Sequence, residues 1–455
     1  MQLSISSEKK SQEVNPIYQK IHIISLGCPK NTVDSEYIGG ILSSAQFQLV
    51  EDIEQADIVI INTCSFIQEA VQESIDVILE AVRLKEEGSL KKVVVIGCLV
   101  QRYGYKLKKE IPEVDIWAGT GKFHQILEII KGDKDFFISR PCFVQNRKLP
   151  RIQGTPFYTA YLKISDGCSH RCSYCLIPML RGPMRSVLPQ LLIDEARELS
   201  KKGVVELNLV AQDITCYGRD FGDGEICLEF LLERLLSIKD IKWIRLLYLH
   251  PLGISDRLLN LIENENSICP YLDIPIQHVN NEILASMRRG YDKSYLLDLF
   301  NRIKGLRRRI FLRTTLLVGF PGETDRAFQE LYDFVKDVEF DHLGVFVFSP
   351  EKGTTAAKMS SQIEKSVANQ RRDALMQLQA KISERKNKEM IGKVIPVLIE
   401  GTHPETELLL VGRSSGMAPE IDGQVIINKG YGIIGKIMPV LITDAHTYDL
   451  VGEIL

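Results

Sequence analysis

Short apolar runs alternate with amphipathic stretches along most of the chain. Between residue 21 and about residue 131 the runs fall at 22–26, 57–61, 92–96 and 115–117, each of strand length, with helical periodicity between them that is clearest over 66–84. That rhythm predicts a parallel α/β sheet. It is lost over 133–156, where Pro141, Pro150, Gly154 and Pro156 predict a linker. It resumes from 158 to about 390, with strands expected at 159–164, 204–210, 243–248, 271–274, 311–318 and 343–348. Six strand–helix units in series predict an open or partial barrel. The charged run 362–388 predicts a long solvated helix without chemistry that closes this unit. Beyond 393, Val, Ile and Gly dominate and turns such as Ile421-Asp-Gly-Gln424 separate short alternating runs, which predicts a small all-β barrel. The expected class is α/β: a flexible N-terminus over 1–20, a parallel-sheet domain over 21–145, a partial (βα)6 barrel over 155–390 and a β-barrel over 393–455.

Composition narrows the functional classes. With 45% hydrophobic and 25% charged residues the chain reads as an ordinary folded protein, and 455 residues exceed what one core organises. The longest apolar stretches are far shorter than a bilayer span, so no transmembrane helix is expected. Residues 1–15 are polar and of mixed charge, without a secretory pattern, and a cytoplasmic location is expected. A net charge of −3 gives no support to tight, sequence-independent nucleic-acid binding by the whole molecule. The last domain carries Lys393, Arg413, Lys429 and Lys436 against Glu400, Glu405, Glu407, Glu420, Asp422, Asp444, Asp449 and Glu453, a net of −4 that repels phosphate backbones.

Ten cysteines without the dense spacing of small secreted scaffolds point to metal or redox chemistry. The most specific signal is Asp166-Gly-Cys168-Ser-His-Arg-Cys172-Ser-Tyr-Cys175, a C-x3-C-x2-C run directly after an apolar strand. Three thiolates on one short loop hold three irons of a [4Fe–4S] cluster and leave the fourth open to a ligand, whereas tetrahedral zinc wants a fourth nearby donor. A second trio is spread through the first domain: Cys28, Cys64 and Cys98 each end a strand. In a parallel sheet all strand C-termini share one edge, so these thiols converge as a second open cluster site. Cys142, Cys216, Cys227 and Cys269 show no such pattern and are assigned to structure. Gln212, Asp213 and Gln277 sit just past strand ends, where barrel enzymes place ligand-binding groups. Arg313 lies inside a strand and faces either a ligand carboxylate or a partner in the barrel wall.

The central cysteine run in this context resembles the radical S-adenosylmethionine (SAM) superfamily, which implies that SAM chelates the open iron and is cleaved to a 5′-deoxyadenosyl radical. Across nearly its whole length the chain resembles the radical SAM methylthiotransferase family, with an N-terminal cluster domain, a radical SAM barrel and a TRAM-type barrel. Ser25-Leu-Gly-Cys28-Pro-Lys-Asn31 with Val33-Asp-Ser-Glu36, Ile164-Ser-Asp166-Gly-Cys168, Asp273-Ile-Pro-Ile-Gln-His278 and Ala418-Pro-Glu-Ile-Asp-Gly423 are similar to the type that modifies a ribosomal protein. The tRNA-modifying type usually has Gln-Met after the first cysteine. The resemblance implies two [4Fe–4S] clusters, SAM as cofactor and an electron-donor protein. It also implies a basic protein of the small ribosomal subunit as partner, methylthiolated at the β-carbon of an aspartate. An acidic last domain fits that partner better than tRNA. Val318-Gly319-Phe-Pro-Gly322-Glu323 resembles the family's turn beside the cofactor, whose glycines permit close backbone approach. Where the family commonly reads Arg-Gly-x-x-Arg-Ser-Arg-Pro, this chain has Arg181-Gly-Pro-Met-Arg185-Ser-Val187-Leu, one cation fewer.

Overall fold

β-Branched runs on the first sheet alternate between two apolar layers. In the computed structural model, which describes residues 19–222 and 224–455, Ile58 and Ile60 face one layer and Val59 and Ile61 the other. The sheet comprises β1 (Lys20–Ser25), β2 (Gln48–Leu49), β3 (Ile58–Thr63), β4 (Lys92–Gly97), β5 (Ile116–Ala118) and β6 (Phe136–Phe137), all parallel, in the order β2-β1-β3-β4-β5-β6. The expected flexible N-terminus falls, for residues 1–18, outside the described residues. β6 lies inside the expected linker: its two phenylalanines pair with Trp117 and Ala118 and are too short a run to stand out in the sequence.

The helix Pro29–Ser44 begins with proline at its first position, where the missing N–H costs nothing. It is buried on nearly every side because it lies between the first sheet and the second domain. Its apolar residues Val33, Ile38, Ile41 and Leu42 join the core. Its polar ones pair across the domain boundary: Asp34 with Lys163 and Arg181, Glu36 with Arg151, and Tyr37 with Glu195.

The second domain places β7 (Thr159–Lys163), β10 (Glu206–Val210), β11 (Trp243–Leu246), β12 (Ile268–Asp273), β13 (Phe311–Val318) and β14 (His342–Val347) side by side in chain order, all parallel. A two-stranded hairpin, β8 (Ser165–Asp166) with β9 (Arg185–Ser186), brackets the cysteine run. Val187 packs into the apolar core of this domain, so the cation missing from the family pattern is a position facing core rather than the site. The closing helix, Lys365–Lys388, corrects the expectation of a solvated rod. Ala368, Arg371, Leu375, Gln379 and Ile382 form a buried stripe, with Arg371 neutralised by Glu323 and Asp325 and Gln379 bonded to the carbonyl of Phe340.

The third domain is a closed barrel of β15 (Val394–His403), β16 (Thr406–Ser414), β17 (Val425–Lys429), β18 (Ile437–Ala445) and β19 (Leu450–Ile454), ordered β15-β16-β17-β19-β18. Its segment 413–422 enters the open side of the second domain. Glu206, on β10, is fully buried between Arg245 (2.9 Å) and Arg413 (2.6 Å), and Glu420 accepts from the Tyr161 hydroxyl. Asp422 accepts from the Tyr271 hydroxyl at 2.7 Å and from Arg313 Nη1 at 2.6 Å. Residues of all three domains, among them Ile21, Tyr161, Tyr271, Leu398 and Ala418, share one apolar cluster. Among the described residues no helix is long and apolar enough to cross a membrane.

Candidate cluster and cofactor sites

Register brings the first cysteine trio together. Ser25 pairs with Asn62 and Thr63 with Gly97, so Cys28, Cys64 and Cys98 leave three adjacent strands on one edge. Side-chain amides lock the loops: Asn31 donates to the carbonyls of Leu26 and Thr63, and Asn62 to that of Asn31. Ser74 Oγ donates to the carbonyl of Cys64 and accepts from its N–H. Gly97 must be glycine, since its φ is 112° and a Cβ there would meet Asn62 Oδ1 and the Thr63 carbonyl at 2.7 Å. Cys28 caps one helix and Cys98 opens another, Cys98–Glu110, so two positive helix ends point at the thiols.

The charges around this trio differ from thiol to thiol. Burial pushes Cys98 up to about 11 and raises Cys64. Burial opposes ionisation of Cys28 as well, but Lys30, Arg181 and the backbone N–H groups of Asn31 and Lys30 overcome it and lower its pKa. Arg181 comes from the second domain, at the end of the short helix Ile177–Arg181, and hydrogen-bonds Cys98 while pairing with Asp34 (3.1 Å) and Asp166 (3.4 Å).

The second trio sits on the loop between β8 and β9. Gly167, at φ 80°, turns the chain into it, the Cys168 N–H donates to Gly182 O, and that of Ser173 donates to Met287 O. Arg289 Nη1 lies 3.4 Å from Cys172 Sγ and is held by Tyr291, Tyr174 and the Pro275 carbonyl. Burial, with neighbouring thiols adding to it, takes Cys168 up to about 11 and Cys175 up to about 12. Thiols whose ionisation is opposed by burial, as at Cys64, Cys98, Cys168 and Cys175, become thiolates when a metal holds them, and three such sulfur donors on one edge or loop are the donor set an iron–sulfur cluster takes. Leu176 and Leu180 pack on Cys98, so one short helix separates the two sites.

The expected cofactor contacts divide. Gln212 Nε2 donates to Asp166 Oδ1 at 3.2 Å, and Asp213 accepts from His170 at 2.7 Å and from Cys216 at 3.0 Å, holding the loop between Cys168 and Cys172. His170, Asp213 and Cys216 border a cavity of about 320 Å3 lined also by Cys168, Met184 and Arg219. Cys216, assigned to structure, is half-buried, donates to Asp213 and lines this cavity with Cys168, a placement that no spacing in the sequence signals. Gln277 stands past the end of β12 with φ 68° and bridges to Leu316. Arg313 is engaged by Asp422 of the third domain, the wall-partner alternative, and is not turned to the cysteines. Glu323 is buried behind its turn, where it accepts from the Gly319 N–H and lies 3.2 Å from Arg371. It supports the turn from behind, while Gly319 packs against Ala368 and Gly322 has open space beside it. Sequence reading missed Lys30, Arg181 and Arg289 as site residues; Lys30 and Arg181 lie in quoted motifs.

The turn yields a paired prediction. Gly319 has φ 73° and a Cβ there would collide with Ala368, whereas Gly322 has φ 87° and open space around it. Gly319→Ala is expected to destabilise by about 3 kcal/mol and Gly322→Ala by about 1 kcal/mol, because only the first adds overpacking to left-handed strain. Urea-unfolding midpoints at constant slope measure both.

An open parallel barrel with three thiols on the loop after its first strand defines a radical SAM protein. The Radical SAM superfamily model matches residues 162–335, the model of uncharacterized protein family UPF0004 residues 20–119, and the TRAM domain model residues 391–455. The chain is 48% identical over 441 residues to the ribosomal protein uS12 methylthiotransferase RimO of Pelobacter propionicus, covering 96% of this chain and 98% of that one. It is 47% identical over 442 residues to the same-named protein of Geobacter sulfurreducens, covering 96% and 99%. The chain belongs to the RimO family of radical SAM methylthiotransferases. Among solved structures it is similar to the radical SAM methyltransferase TsrM of Kitasatospora setae, solved with cobalamin and a [4Fe-4S] cluster bound. The TM-score is 0.54 at 13% identity, covering 73% of this chain and 75% of that one, a likeness of fold alone.

Proposed function

We propose that this transferase methylthiolates the β-carbon of an aspartate in ribosomal protein uS12, with one [4Fe–4S] cluster on Cys168, Cys172 and Cys175 and a second on Cys28, Cys64 and Cys98. The observation that carries the reading is the pairing of the sites: two trios of buried or half-buried thiols, each with an arginine at one of its sulfurs, on either side of the single helix Ile177–Arg181. When bound, the first cluster supplies the electron that cleaves SAM and the second the sulfur environment for transfer. The chain's own part is to position and to shield. Arg289 and Arg181 hold positive charge against the sulfur ligands, Asp213 fixes the His170 segment, and the 319–322 turn offers backbone to SAM. A β-carbon hydrogen of aspartate is too weakly acidic for any protein base, which is why a radical route is needed.

The acidic third domain supports a basic protein substrate over tRNA, and a cytoplasmic location with a separate electron-donor protein completes the reading. Anaerobically reconstituted protein is expected to hold about eight irons, falling to about four in either triple cysteine variant. With SAM, a reductant and a uS12 peptide it should give 5′-deoxyadenosine and a methylthiolated peptide by mass spectrometry. Modification of a tRNA adenosine in place of the peptide would replace the substrate. Absence of 5′-deoxyadenosine would reduce the chain to a cluster-bearing scaffold.

A further inference from the structure

Two lysines among the described residues are buried, Lys30 and Lys163. Lys163 pairs with Asp34. Lys30 has no carboxylate within ion-pair distance among the described residues; its ammonium lies 3.7 Å from the centre of the Tyr248 ring, hydrogen-bonds the Tyr248 side chain and faces the Cys28 thiol. An aromatic face offsets only part of the cost of desolvating an ammonium, and a buried cation normally keeps an anionic partner. Lys30 keeps 8% of its surface exposed and is the member of this buried pair without a carboxylate.

Its position says what that partner does. Lys30 is two residues beyond Cys28, in the first turn of the helix Pro29–Ser44, while Tyr248 stands at the C-terminal end of β11 on the barrel edge. Tyr248 is held at φ 63°, a conformation rare for a bulky side chain, by its N–H to Asp273 Oδ2 (3.0 Å) and by its carbonyl, which accepts from the Ile214 N–H (3.1 Å). Gln277, at φ 68°, holds a like conformation just past the next strand. Two such residues on neighbouring strand ends mark a backbone shaped for a ligand.

We propose that Lys30 is a substrate-binding residue whose ammonium, seated on Tyr248, takes the side-chain carboxylate of the target aspartate beside Cys28. This rests on the aspartate-directed reading above and deepens it. The reacting β-carbon is bonded to that carboxyl carbon, so anchoring the carboxylate fixes the reacting carbon next to the trio that would carry sulfur. An asparagine in the same place offers no charge to the ammonium and binds less well.

The test is binding of two uS12 peptides, with aspartate or asparagine at the target position, to the cluster-loaded protein, with iron counted in every sample. The unsubstituted protein is expected to prefer the aspartate peptide by about 10- to 100-fold, the range of a charge-assisted hydrogen bond. Lys30→Met should bring that ratio to about one, and Lys30→Arg should restore part of it. An unchanged ratio in Lys30→Met overturns the proposal, as does an absence of preference in the unsubstituted protein. If both Lys30→Met and Lys30→Gln lose iron, Lys30 supports the Cys28 loop and the proposal falls. Tight binding of a tRNA stem-loop with neither peptide bound would instead sink the aspartate-directed reading itself.

Discussion

Cys172→Ala is expected to cut reductive cleavage of SAM by about 1000-fold or more, because it removes one of three thiols holding the iron at which SAM binds. Cys64→Ala is expected to leave cleavage within about 10-fold of the unsubstituted protein and to take methylthio transfer to background, since the first-domain trio lies beyond the helix Ile177–Arg181. Quantifying 5′-deoxyadenosine and methylthiolated peptide in the same reactions separates the two. Equal loss of cleavage in both variants would contradict the division of labour between the trios.

Glu206→Ala is expected to destabilise the chain by about 4 kcal/mol, since it leaves Arg245 and Arg413 buried against each other without their shared counter-charge. Burial opposes ionisation of Glu206, but Arg413 and then Arg245 outweigh it and hold the carboxyl at about 2, below its ordinary 4.5. A folded-state value below the unfolded one means the stabilisation is present in full above about pH 4.5 and is lost as pH falls toward about 2. Urea midpoints between pH 7 and pH 3 should therefore converge for the unsubstituted and Glu206→Ala proteins on acidification. A gap that stays constant with pH would refute the assignment.

Much of this was legible because the strands advertise themselves. The runs around Val59, Val94 and Leu207 are β-branched or aliphatic and bounded by turn residues, and parallel pairing then dictates that Cys28, Cys64 and Cys98 meet. What the sequence concealed depends on partners far along the chain. Arg181 and Arg289 read as ordinary cations until folding sets them on Cys98 and Cys172. The helix Lys365–Lys388 looked solvated because two of its buried residues, Arg371 and Gln379, are polar and reach their partners only in the folded domain. Glu323 looked like a ligand contact for the opposite reason: an acid beside two glycines suggests a site, yet its charge is consumed by Arg371 behind the turn.

The insertion of residues 413–422 into the barrel has a consequence for engineering this enzyme. Because Tyr161, Glu206, Arg245, Tyr271 and Arg313 all find partners on that segment or its flanks, the last domain is not an interchangeable cassette. A chimaera that imports another protein's terminal domain to redirect target choice must transplant those receiving side chains with it, or it will fail as a fold before any altered selectivity can be measured.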